Sequence, residues 1–318
     1  MLGLWLLRSV PGCIDFTLDP IDPEGSPPRE IAVRESFVQA PLPKADLLLV
    51  IDDTGSMEQE QRSLGDHFAA LLDELDAQEV SWQLGVISTD MNGEEAGWLR
   101  GSPWILTPDV PDRDAVFAET VQVGLGGSGP EAGLAAAALA LDLAEPGGPN
   151  AGFRRADALL HVVFVSDADD QSEDWLGDKP DAAFLTRLVD ETSRTALPAR
   201  ASAVVGPVPS GCASNTGTAQ PATRYDAVAA GSGGIVVSIC ATDFAPVLAT
   251  LSEATIVWQT EFPLRSVPIG DSADVTVDGE PVTEGFVVDP DVPAVRFDEP
   301  PPAEARIDVS YLVKLDGA

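Results

Sequence analysis

The chain has 318 residues, 44% of them hydrophobic, enough to bury one large or two modest cores and too apolar for a wholly disordered segment. Eighteen Lys and Arg face fifty-two Asp and Glu, a formal net charge of -34 that repels phosphate backbones and anionic headgroups and argues against a nucleic-acid partner. Three cysteines and two histidines (His67, His161), none of the histidines near another soft ligand, exclude the usual Cys/His zinc site, so any metal is expected to be a hard cation held by oxygen.

In chain order, Met1-Leu2-Gly3-Leu4-Trp5-Leu6-Leu7 is a short apolar run, far below the roughly 20 residues that span a bilayer. It closes on Gly12-Cys13 and resembles a bacterial lipoprotein signal over residues 1–13, which implies export and a lipid on Cys13; Arg8 interrupts the run and no basic segment precedes it. Residues 14–45 carry Pro20, Pro23, Pro27, Pro28, Pro41 and Pro43 and read as a linker with one edge strand over Ile31 to Val38. From Ala45 the texture changes. Leu47-Leu48-Leu49-Val50-Ile51 is an unalternated apolar run, the pattern of a strand buried on both faces. Met57 to Asp76 has helical spacing through Leu64, Phe68, Leu71, Leu72 and Leu75. Further strands are expected over Val80–Ser88, Leu159–Val165, Ala201–Val205 and Ile235–Ile239, and helices over Glu131–Leu143, Ala182–Thr195 and Asp243–Ala254. Such alternation predicts an α/β domain over 46–260, a mainly parallel sheet with helices on both faces. Residues 261–318 read as a small antiparallel β unit, from a strand entering the Asp278-Gly279 turn and from the period-two stretches Ala294–Phe297 and Arg306–Tyr311.

Asp52-Asp53-Thr54-Gly55-Ser56 falls where the first buried strand hands over to a helix, the edge at which α/β sheets gather ligands. Asp53-Thr54-Gly55-Ser56 spells an aspartic-protease signature, but that chemistry needs a second carboxylate on a second β-lobe, and no second Asp-Thr-Gly or Asp-Ser-Gly occurs. A helix N-cap explains one hydroxyl and not the whole run. Asp52, Thr54 and Ser56 instead fit Asp-x-Ser/Thr-x-Ser, and on these residues the chain resembles the von Willebrand factor A domains, whose metal-ion-dependent adhesion site opens with that motif. A carboxylate and two hydroxyls from one tight turn suit a hard ion with oxygens at about 2.1 Å and leave its charge only partly neutralised.

The resemblance covers roughly Asp46 to Gln259 and implies a Rossmann-like fold with two further loops. Gly126-Gly127-Ser128-Gly129-Pro130-Glu131 stands where the family places a Thr ligand; Ser128 keeps the oxygen, with Glu131 a rival. This stretch also spells Gly124-x-Gly126-x-x-Gly129, but it lacks the strand context and the following acidic residue of a dinucleotide site. Ser166-Asp167-Ala168-Asp169-Asp170 closes a buried strand, and Asp167 matches the family's last metal-site Asp. Asp53, Asp90, Glu131, Asp169 and Asp170 are expected behind or around the site. The implied cofactor is Mg²⁺ (or Mn²⁺ or Ca²⁺), and the implied partner is a protein that offers a carboxylate to it. The implied function is metal-dependent binding or adhesion at the bacterial envelope, the alternative being a non-catalytic accessory subunit or a degenerate scaffold supporting an enzyme complex. No nucleophile stands beside a His in the sequence, which argues against intrinsic catalysis. In an exported chain, Cys212 and Cys240 are expected to bridge across the loop between them.

Overall fold

The computed structural model describes residues 30–39, 43–67, 69–127, 129–195, 197–214, 217–241, 250–252, 254–255, 258–288 and 292–314. Cys13 and the whole 1–13 segment lie outside them, as does Ser128. The chain forms two compact units. Residues 42–257 make one, and residues 1–41 together with 258–318 make the other.

The larger unit begins with β2, which the chain reaches only after contributing β1 to the smaller unit; strands are therefore numbered along the whole chain. β1 is Glu30–Val38 and β2 is Lys44–Ile51. A 3-10 turn over Gly55–Met57 leads into α1, Glu58–His67, and then α2, Ala69–Ala77. There follow β3 (Ser81–Ser88), α3 (Arg113–Thr120), α4 (Gly133–Asp142), β4 (Leu159–Val165), α5 (Glu173–Leu176), α6 (Pro180–Thr195) and β5 (Ala199–Val205). The unit continues with the two-residue strands β6 (Cys212–Ala213) and β7 (Thr218–Ala219), then α7 (Thr223–Ser232) and β8 (Val236–Ser238). Of the helix expected over 243–254, residues 250–252 and 254–255 are helical, and 242–249 lie outside the described residues.

Strands β3-β2-β4-β5-β8 form one parallel sheet in that order. The unalternated apolar runs are explained by its two covered faces. Leu47, Leu49 and Ile51 of β2 join Leu64, Leu71, Leu72, Leu75 and Phe117 in one core. The intervening Leu48 and Val50 join Leu134, Ala136, Ala137, Ala140, Phe184, Leu188 and Tyr225 in the other. Successive side chains of a strand point to opposite faces, so a helix layer on each side makes every position from Leu47 to Ile51 apolar. The fold class is thus α/β, Rossmann-like, as the alternation predicts.

Helix α7 was not foreseen. Its sequence, Thr223-Arg224-Tyr225-Asp226-Ala227-Val228-Ala229-Ala230-Gly231-Ser232, mixes Ala and Gly without a clear apolar stripe, and burial of Tyr225 and Val228 against the sheet holds it in place.

In the smaller unit, β9 (Glu261–Pro263), β10 (Asp274–Val277), β11 (Glu280–Val282), β12 (Phe286–Val288), β13 (Ala294–Phe297) and β14 (Arg306–Lys314) join β1. They make two antiparallel sheets, β1-β14-β10-β11 and β12-β13-β9. Asp278 and Gly279 both take positive φ at the β10–β11 turn, the conformation that an Asp-Gly hairpin turn requires. Phe262, Val275, Val295, Phe297, Ile307, Val309 and Tyr311 form the core, with Val33 and Phe37 of β1 packed on it. The edge strand read within the Pro-rich stretch is therefore part of this β unit, paired with β14 from Glu30↔Lys314 to Val38↔Arg306.

Candidate functional site

Register sets the site. Ile51 pairs with Ser88 on one side and Val165 on the other, and Val165 pairs with Val204, so the strands end level with one another. The loops after β2, β3 and β4 leave from that one edge. The order β3-β2-β4 means the chain crosses outward in one direction after β2 and in the other from β4 onward. The gap between β2 and β4 is the switch point at which doubly wound sheets bind ligands. Asp52 follows one of these strands and Asp167 the other.

Asp52 is fully buried, and Thr54 donates to its Oδ1 from both backbone N–H (2.8 Å) and Oγ1 (2.6 Å). Ser166 donates its hydroxyl to Asp52 Oδ2 at 2.7 Å. Thr54 Oγ1 lies 3.2 Å from Ser56 Oγ, and the Ser56 hydroxyl also bonds the carboxylate of Asp167. Asp52, Thr54, Ser56 and Asp167 thus converge, with Ser56 exposed to solvent. The neighbouring loop approaches them through Gly127, whose N–H donates to the Asp53 carbonyl at 2.9 Å. Its next residue, Ser128, lies outside the described residues. A Cβ on Gly127 would stand 2.2 Å from Asp53 Oδ1, so only glycine allows this loop so close.

The electrostatics are one-sided. Burial pushes the Asp167 carboxyl above its ordinary range, the Ser56 hydroxyl opposes this, and the Asp52 charge adds to it. Burial likewise raises Glu131, with Asp52 and Asp167 contributing. Glu60, in the first turn of α1, is raised by burial and by the same two charges. Among the described residues, no Lys or Arg forms an ion pair with Asp52, Glu60, Glu131 or Asp167. Adjacent carboxylates that repel one another without a basic partner favour a bound cation. The all-oxygen donor set of carboxylates and hydroxyls fits a hard divalent ion and no soft one. Among the described residues, no three of His, Cys, Asp and Glu gather as a metal-holding group, so a cation here would depend on the hydroxyls of Thr54 and Ser56.

The remaining expected residues divide. Asp53 is buried, bonds the Ser88 hydroxyl, and keeps Oδ1 without a partner; burial raises it, and Asp90 and Asp52 add to the shift. Asp90 accepts the Asn92 N–H at 2.9 Å and shapes the turn after β3. Glu131 accepts from the Gln171 side chain, and its carbonyl accepts the Gln171 N–H at 2.9 Å. Asp169 Oδ1 accepts the Arg224 N–H at 2.9 Å, in the first turn of α7.

Asp170 is not at the rim. It is buried, its Oδ1 accepts the Leu134 N–H (2.9 Å) and the Ser172 hydroxyl (2.7 Å), and its Oδ2 accepts the Ser172 N–H (3.0 Å). Ser172 Oγ in turn accepts the Ala135 N–H. These two side chains satisfy free amides at the start of α4, a helix-capping role. Burial carries the Asp170 carboxyl up to about 6.

Two residues escaped the sequence reading. Gln61 is buried and donates Nε2 to the carbonyls of Asp52 and Gly124, both at 2.8 Å, tying the first loop to the second. Glu60 looked like any charged residue on a helix surface. The expected bridge between Cys212 and Cys240 is present, with Cα atoms 6.1 Å apart.

No family model and no curated protein matches the chain. Among solved structures, it is similar to a von Willebrand factor type A protein from Catenulispora acidiphila at 14% identity, covering 91% of this chain and 62% of that one, with a TM-score of 0.39. The pilus adhesin SpaC from Lactobacillus rhamnosus GG matches at 12% identity over 91% and 41% of the two chains, with a TM-score of 0.41. BatB from Bacteroides thetaiotaomicron matches at 12% identity over 67% and 97%, with a TM-score of 0.37. The chain spans 62% and 41% of the length of the first two. Strand order, helices on both faces, and Asp52, Thr54, Ser56 and Asp167 at one sheet edge make the α/β unit von Willebrand factor A-like in fold.

Proposed function

We propose that the α/β unit binds a divalent cation through Asp52, Thr54, Ser56 and Asp167, with Ser128 supplied by the adjoining loop, and uses it to hold a carboxylate of a protein partner. The observation that carries this reading is the convergence of two carboxylates and two hydroxyls at the switch point of the sheet, with no basic side chain among the described residues ion-paired to them. Bound there, the ion would supply a positive charge that the site's acidic surroundings otherwise lack. Hydroxyl ligands neutralise less of that charge than carboxylates do, which leaves attraction for an outside anion. The chain's own residues orient the site: Thr54 and Ser166 hold both oxygens of Asp52, and Gln61 fixes the loop beneath it. The Cys212–Cys240 disulfide supports a role outside the cytoplasm, at the cell envelope, and the Gly12-Cys13 pair of the lipoprotein-like segment makes Cys13 the proposed lipid anchor.

Titration calorimetry with Mg²⁺, Mn²⁺ and Ca²⁺ tests the site. Wild-type protein should bind one of these ions, and Asp52→Ala should lose that binding. Equal response in both proteins rejects the site. Partner capture is tested by recovering bound proteins with and without EDTA; partners retained equally in both would rule out a metal bridge.

A further inference from the structure

The chain between β5 and α7 turns through the short hairpin β6–β7, in which Cys212 pairs with Ala219 and Ala213 with Thr218. The Ala222 N–H donates to the Gly206 carbonyl at 2.9 Å and closes its base. This hairpin touches two segments of the candidate site. Toward the loop after β4, the Gln220 N–H donates to the Asp167 carbonyl at 2.8 Å. The start of α7 continues that contact: the Arg224 N–H donates to Asp169 Oδ1 at 2.9 Å, and the Arg224 guanidinium bonds the Asp170 carbonyl and the Glu173 carboxylate. Toward the loop after β2, the hairpin tip meets the first turn of α1. A Cβ on Gly217 would stand 2.5 Å from Glu60 Oε1, so the glycine backbone lies against that side chain. One short hairpin therefore joins the segment that carries Asp167 to the helix that follows Ser56.

A hairpin of two-residue strands has little stability of its own, and Ala213, Thr218 and Gln220 are exposed on it. Its covalent anchor is the bridge from Cys212 to Cys240. Cys240 follows Ile239, which is buried in the core and donates its N–H to the Val205 carbonyl at 3.0 Å, so the bridge fastens the hairpin to the end of the parallel sheet. Neither cysteine is fully buried. We infer that the hairpin, pinned by Cys212–Cys240, is a strap that positions Asp167 against the Asp52–Ser56 turn, and that opening the bridge loosens the site without unfolding the domain. Only the expected effect on ion affinity rests on the cation reading above. Opening is a two-electron reduction: a dithiol attacks the bridge, leaves thiols on Cys212 and Cys240, and closes to its own cyclic disulfide. The two cysteines act at a distance, through the Gln220 N–H on the Asp167 carbonyl, as positioning residues. Groups one step behind a metal ligand change metal affinity by about 10–100-fold.

The test compares oxidised wild type, wild type reduced with a dithiol, and the Cys212→Ala/Cys240→Ala double variant, with circular dichroism reporting that each is folded. A broad-specificity protease should cut the reduced and double-variant proteins first between residues 206 and 222, and leave the oxidised protein intact there. Calorimetric titration with Mg²⁺ or Ca²⁺, well below Tm, should show binding about tenfold weaker in both than in oxidised wild type. A bridge that merely adds general stability lowers Tm and moves neither reading: the folded protein binds the ion as before, and cleavage spreads along the chain or spares the hairpin. Either result overturns the strap. If the double variant does not fold, the dithiol-treated wild type, which starts from folded protein, gives the same two readings. If oxidised wild type binds neither ion, the cation reading falls, and the order of cleavage alone decides the strap.

Discussion

His161 sits in β4 with no solvent exposure, its Nδ1 2.7 Å from Thr255 Oγ1 and its Nε2 2.8 Å from Ser202 Oγ. Burial, helped by the charge of Arg200, carries its ionisation down to about 3, so it is neutral at every physiological pH. The unfolded chain protonates this ring near 6.5 and the folded one only near 3; between those values the unfolded state binds the extra proton. The associated stability is complete above pH 6.5 and drains away as pH falls toward 3. Relative to His161→Leu, wild type should lose about 1.6 kcal/mol on moving from pH 6.5 to pH 5, measured by urea denaturation at each pH. Ser202 and Thr255 each keep a backbone partner when the ring is removed, Ile235 N–H and the Leu251 carbonyl, so the variant isolates the titration. A parallel loss in the two proteins would refute the assignment.

Between elements, the largest polar commitment lies near the N-terminal end of β2, away from the site. Asp46 is fully buried and receives the Arg155 N–H (2.7 Å), Arg155 Nε (2.7 Å) and Arg154 Nη1 (3.2 Å). Arg154 also donates to Glu191 of α6 at 3.0 Å. The network clamps β2, the approach to β4 and α6 together. Burial raises the Asp46 carboxyl and Arg155 opposes it. Asp46→Ala removes the buried carboxylate that Arg154 and Arg155 share, leaving Arg154 with Glu191 and the Ala158 carbonyl and Arg155 with the Ala45 and Ser81 carbonyls, and should cost about 3 kcal/mol in chemical denaturation, with a matching fall in Tm; a loss below about 1 kcal/mol would show the network to be dispensable.

At this scale the sequence was informative wherever the physics is local. Buried runs such as Leu159–Val165 name their own strands, and Asp52 and Asp167 are legible because each stands within two residues of a strand's end. Two kinds of feature were not. Helix α7 depends on tertiary burial of Tyr225, which Ala- and Gly-rich spacing does not reveal. The inward turn of Asp170 depends on a neighbour far along the chain, the Leu134 N–H.

For the whole molecule, the net charge of -34 dominates at low salt. Self-repulsion penalises the compact state, and its range shrinks from about 30 Å at 0.01 M to about 8 Å at 0.15 M ionic strength. Thermal melts in EDTA should therefore rise in Tm as NaCl is added over that interval. A flat or falling trend would mean the charges are already compensated within the fold. The same melts, repeated with divalent ion at fixed ionic strength, separate screening from binding.

The pairing of β1 with β14 has a mechanical side. Glu30 stands opposite Lys314, and where β1 ends, the Gln39 side chain donates to the Gln259 carbonyl at 2.9 Å. The polypeptide thus leaves the β unit and re-enters it at neighbouring points, having built residues 42–257 as an insertion. Tension applied at Glu30 and Lys314 falls first on the β1–β14 ladder, which parts one pair at a time from that end. Until β1 has peeled free, the inserted segment carries no load, so a pull along the chain spends itself on two strands before it can reach the loops that hold Asp52 and Asp167.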